Sequence, residues 1–166
     1  KPLIQWEKDY RYKNDLSQME GKLLHSIANS IEDEYIEKQL GKSNAGFVTY
    51  IEAVKKHYFD TKMEGRLEDD DDTPFIDILN TLLAFIRWPN NLSAERKKKH
   101  AKHIQFFARA LAKGLDSRDD TYHCISVIYQ YLRKVAEAMA KDDDSLEDKI
   151  NEKMESMREE MGDEGL

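Results

Sequence analysis

The chain has 166 residues, 40% of them apolar and 36% charged, with a formal net charge of −7. That length holds one domain whose core needs no metal or disulfide staple. The single cysteine, Cys124, excludes an internal disulfide and points to a reducing, cytoplasmic (or otherwise intracellular, nucleus included) setting.

The charge is unevenly placed. From Asp142 to Leu166 there are eleven acids and three bases, which leaves 23 bases and 22 acids in residues 1–141. The organisation read from this is a neutral body, 1–141, followed by an acidic tail, 142–166. No signal-peptide pattern opens the chain. No apolar run approaches the roughly 20 residues that cross a bilayer. Phe75–Ile86 comes nearest and is interrupted by Asp77 and Asn80. No membrane partner is expected.

Residues 1–15 mix Trp6, Tyr10 and Tyr12 with charge and read as an arm or short helix that lays its rings on the body. From Leu16 to Leu40, apolar residues recur at steps of three to five (Leu16, Met19, Leu23, Ile27, Ile31, Tyr35, Leu40), the stripe of an amphipathic helix. Gly41 stands where a C-cap glycine belongs. Asn44 suits an N-cap. The next helix runs from Phe47 to about Met63, with Phe47, Ile51, Val54, Tyr58 and Phe59 on one face and Gly65 ending the segment.

An acidic run, Glu68 to Asp72, precedes Thr73 and Pro74, a cap followed by proline at the first helical position. Residues 74–88 are apolar nearly all round, which predicts a buried central helix. It ends before Pro89, since the residue ahead of a proline avoids the α region. Ser93 caps a predicted helix 94–113, closed by Gly114, with Ala101, Ile104, Ala108 and Leu111 inward and Phe107 beside them. Asp116 or Ser117 caps the next, to about Lys141. Ser145 with Asp148 resembles a capping box for a last helix, 146–161. No strand-like alternation of useful length occurs. The fold class is therefore all-α, a single bundle of five or six helices with an acidic amphipathic C-terminal helix.

Two segments suggest binding. Arg96, Lys97, Lys98, Lys99 and Lys102, with Arg109 and Lys113 further on, make the helix 94–113 a candidate anion or nucleic-acid surface. The run stands in the first turns of that helix, where the macrodipole prefers acids. On the tail, Leu146, Ile150, Met154, Met157 and Met161 form a methionine-rich stripe suited to a partner groove or to a second copy. A docked tail could also shield the basic helix. His100 and His103 face roughly one way but lack further converging ligands, so neither a metal nor any other cofactor is expected.

One further motif carries chemistry. Arg118-Asp119-Asp120-Thr121-Tyr122-His123 resembles the arginine–histidine motif of HEPN-type ribonucleases, in which a polar residue, here Asp119, follows the arginine. The resemblance covers six residues. It implies a dimerising all-α domain that cuts RNA without metal, with Arg118 stabilising phosphate charge and His123 moving the proton.

The first functional reading is a non-enzymatic interaction or adaptor module. It takes a protein partner, or a nucleic acid, through helix 94–113 and helix 145–161. The alternative is the HEPN-like ribonuclease. The third is a self-oligomerising scaffold, such as a homodimer paired through the tail helix.

Overall fold

The computed structural model describes residues 2–68 and 73–162, and within the last helix it leaves the side chains at 157, 158 and 160–162 undescribed. Every regular element among the described residues is helical. The predicted acidic run at 69–72, the side chains of Met157 and Met161, and the last four residues lie outside what is described.

The N-terminal arm is a helix, α1 (Leu3–Lys13). Trp6 and Tyr10, four residues apart, share its inner face. Trp6 stacks on Tyr122 with ring centres 5.1 Å apart, and Tyr10 meets Tyr129 edge-on at 5.8 Å.

The chain turns at Asp15, whose φ of 48° is a left-handed conformation that aspartate tolerates. Ser17 then caps α2 (Gln18–Ser43) in a full capping box with Glu20. Leu23, Leu24, Ile27, Ala28 and Ile31 are fully buried along this helix. It touches α1 and four later helices, at residues 45–58, 74–87, 118–140 and 146–162, and so forms the axis of the bundle.

Gly41 does not end α2. The helix runs on to Ser43, and a Cβ at position 41 would stand 2.9 Å from the Val48 side chain. The glycine serves close approach of the next helix. That helix, α3 (Ala45–Tyr58), is capped by Asn44, whose side chain accepts from the Phe47 amide at 3.1 Å.

Past Tyr58 the helix widens into a π turn, Phe59–Met63, and continues as α4 (Glu64–Leu67), with Gly65 inside it. The wider turn resets the phase of the buried face. Phe59, Met63 and Leu67 enter the core, whereas Val54, expected inward, is 43% exposed.

Helix α5 (Pro74–Arg87) opens with Thr73 accepting from the Ile76 amide and Pro74 at its first position. Ten of its 14 residues are buried, including the polar Asn80 and Thr81, so it is the central helix. Trp88 closes it, stacking on Tyr58 and donating its ring N–H to the Lys55 carbonyl at 2.9 Å.

The predicted helix 94–113 is two helices, α6 (Ala94–Lys99) and α7 (Ala101–Leu111). His100 separates them with φ −110° and ψ 25°. The break changes the electrostatics of the basic run. Arg96 to Lys99 occupy the last turn of α6, where cations suit the helix dipole. It also turns α7, so that Phe107 is fully buried and Ala108 is exposed, against the expected pattern.

Gly114, at φ +80°, turns the chain toward Ser117, which caps α8 (Arg118–Ala140). An L side chain at such a φ would be strained. The last helix, α9 (Leu146–Gly162), packs against α2, α5 and α8. At its start Ser145 donates its hydroxyl to Asp143 at 2.7 Å. Hydrogen bonds from Ser145 and Lys149 hold the Asp143 carboxyl down at about 2.

Candidate functional site

From Arg96 to Lys113 the sequence carries seven lysines and arginines and no acid, in a chain with 33 acids. The structure divides these cations into two groups.

Arg96 is committed to the fold. Its guanidinium donates to Asp77 at 2.7 Å and to Thr81 at 2.9 Å, and also to the Leu67 carbonyl. Its side chain is 15% exposed and that of Asp77 16%. Lys99 reaches the same carboxylate at 3.1 Å, and His100 Nε2 lies 2.7 Å from it. Burial pushes the Asp77 carboxyl up, but the hydrogen bonds from Arg96, His100 and Lys99 outweigh it and hold the group down at about 2. Asp77 thus fastens the α6–α7 junction to α5, and Arg96 is unavailable as an anion ligand. A buried charge left without its partner would be costly, which explains why so many donors converge there.

Lys97, Lys98, Lys102, Arg109 and Lys113 are exposed and make no hydrogen bond or ion pair among the described residues. Lys102 and Arg109 are seven positions apart on α7, which puts them on one face with a rise of about 10.5 Å between them. Lys113 follows in the turn after that helix, and Lys97 and Lys98 precede it on α6.

Aromatic side chains of α7 lie beside that cationic face. Phe106 stacks on Tyr131 with centres 4.0 Å apart, and His103 Nδ1 lies 2.7 Å from the Tyr131 hydroxyl. Burial pulls the His103 pKa down, and the neighbouring charges of His100 and Lys102 add to it.

The two histidines are separately engaged, His100 with Asp77 and His103 with Tyr131. No group of three or more potential metal ligands occurs among the described residues. Cys124 is buried, which pushes its thiol up to about 11 and leaves it a packing residue.

Arg118 and His123 are not brought together. Arg118 pairs with Glu32 on α2 and lies 4.6 Å over the Tyr35 ring. His123 is exposed. Five helical steps turn a side chain by about 140°, so the two groups leave α8 on different sides.

The tail stripe also has an internal use. Leu146, Ile150 and Met154 are 3%, 1% and 4% exposed and belong to the core, so they are not open to a partner or to a second copy. Ser26 donates to the Met154 sulfur at 3.6 Å, and Lys22 pairs with Glu155 at 2.6 Å. A stripe in the sequence marks an apolar face, and here the body of the same chain covers it.

One feature had no signal in the sequence. A groove of about 590 Å³ lies between α2, α3 and the turn after α7, with Val48, Ile51, Leu111 and Leu115 among its lining. Beside it Arg87 joins Glu34 at 2.9 Å and Glu37 at 2.7 Å, and Lys55 joins Glu34 at 2.9 Å. These residues come from three helices, so only the tertiary fold assembles them.

No helix among the described residues is long and apolar enough to cross a membrane. No protein-family model, curated protein or solved structure matches this chain.

Proposed function

We propose that the chain is a helical binding module that holds an anionic macromolecular partner on the α6–α7 surface. The observation that carries this reading is the set of five exposed cations, Lys97, Lys98, Lys102, Arg109 and Lys113, which have no hydrogen-bond or ion-pair partner among the described residues and stand in an acid-free stretch. Arg96, in the same run, is by contrast neutralised inside the fold by Asp77. Unpaired like charges on one surface repel each other, and an anion relieves that repulsion.

The division of labour is physical. Asp77 fixes the junction at His100, so the cations of α6 and α7 are presented in a set relation. A preorganised surface loses less entropy on binding. Encounter is steered by charge and weakens as salt rises.

Retention on a heparin column tests the reading. The wild-type chain should be retained at low salt despite its net charge of −7. Lys97, Lys98, Lys102 and Arg109 all changed to Glu should abolish retention. The same four-charge reversal at the exposed Lys8, Lys13, Lys134 and Lys141 should reduce it far less. Equal loss in both variants would refute a localised surface.

A further inference from the structure

We infer that the occupant of the α6–α7 surface is an acidic helical segment of a protein partner. This rests on the reading of that surface as an anion-binding site and adds the class of partner.

The charge of the rest of the chain decides against a nucleic acid. The sequence pI is about 5.3, whereas nucleic-acid-binding domains commonly exceed a pI of about 9. Residues 142–166 alone hold eleven acids against three bases. A nucleic acid carries charge along its whole length and meets that field wherever it extends past the patch. A short acidic segment meets only the charges within a screening length of about 8 Å, which on α6–α7 are cations apart from Glu95 at the start of α6.

The rings of α7 are largely taken up inside the fold. Single strands are held on exposed aromatic faces. Here Phe107 is fully buried and the half-buried Phe106 already stacks one face on Tyr131 at 4.0 Å, so α7 presents no run of open rings on which successive bases could stack.

The spacing fits a helix. Lys102 and Arg109 repeat at seven positions along an outward face, and carboxylates seven apart on a partner helix repeat at the same rise of about 10.5 Å. Uncharged Gln105 and Phe106 lie between them on that face, so a helix can rest along α7 without meeting a like charge. Arg109 can clasp a carboxylate through two N–H donors. Lys97 and Lys98 extend the cationic surface at one end and Lys113 at the other.

The test uses fluorescence anisotropy with the full chain and two labelled probes. One is a synthetic alanine-rich helix bearing glutamates at four- and seven-residue spacings, and the other is a short DNA duplex. The acidic helix should bind in low salt and weaken about tenfold in the pair Lys102→Glu and Arg109→Glu. It should weaken little in the matched pair Lys8→Glu and Lys13→Glu, and a proline-broken peptide of the same composition should bind less well. Tighter binding of the duplex, lost in the same α7 pair, would overturn the protein partner while leaving the anion-binding surface standing. Equal binding of the helical and broken peptides would overturn the helical requirement. No binding of either probe, or equal loss in the two double variants, would overturn both readings.

Discussion

Asp77 on α5 and Arg96 on α6 are joined at 2.7 Å, both side chains mostly buried, and this contact sets where the basic surface begins. It takes the first cation of the run into the fold, engages Lys99 through the same carboxylate, and leaves Lys97, Lys98 and the cations of α7 outside. Replacing Asp77 with Ala removes an acceptor shared by Arg96, Lys99 and His100 and leaves an arginine without its main partner. The expected loss is about 2–3 kcal/mol, read as a lower urea midpoint with unchanged slope.

The same contact predicts an acid response. Asp77 in the folded chain is held at about 2, below the ordinary aspartate value of about 3.9. A lowered carboxylate contributes stability that is present above the unfolded value and is lost as pH falls through the folded one. The wild-type chain should therefore lose this contribution between about pH 4 and pH 2, and Asp77→Asn should lack that component. Unfolding free energies measured across this window would show the difference in slope.

His103 predicts a second, milder response. Burial favours its neutral form, so its stabilising contribution is present above the ordinary histidine value of about 6.5 and declines as pH falls below it. Titration of its ring signals by NMR should give a midpoint below 6.5, about the free value. In Tyr131→Phe, which removes the hydroxyl at 2.7 Å, the signals of the α7–α8 contact should shift.

The helices were largely legible where a cap and an apolar period agreed, as at Asn44, Thr73–Pro74, Ser93 and Ser117. The failures share a cause. Gly41 reads as a stop because its local signal is that of a C-cap, but the helix continues past it and the Val48 side chain closes on it, so that a Cβ there would force a shift. The π turn at 59–63 and the break at His100 are phase shifts made by tertiary contacts, and a fixed period carries straight through them. The basic surface was legible as a run of charge. That Arg96 does not belong to it depends on Asp77, 19 positions away. The tail stripe was legible as apolar, but the helices it packs against, α2, α5 and α8, were not.

The tail is predicted to be part of the folding unit. Ile150→Ala should cost about 2–4 kcal/mol, because its side chain is 1% exposed. Removing residues 142–166 should lower the melting temperature of the remainder. An unchanged melting temperature would mean that α9 contributes nothing to the core.

Arg118 and His123 should separate cleanly. Arg118→Ala leaves Glu32 without its ion pair, in a site where one of its oxygens already lacks a partner, and should cost about 1–2 kcal/mol. His123→Ala, on an exposed side chain, should stay within about 0.5 kcal/mol. Labelled RNA incubated with either variant and with wild type should remain intact. Cleavage lost in His123→Ala would instead establish the ribonuclease chemistry that the motif resembles.

An NMR titration of the labelled chain with a short polyglutamate would report on the α6–α7 surface residue by residue. Amide shifts should concentrate between residues 97 and 113, move in proportion to one another and shrink as salt is raised. Shifts scattered over the lysines of every helix, or centred away from α6 and α7, would mean that no anion-binding surface exists there.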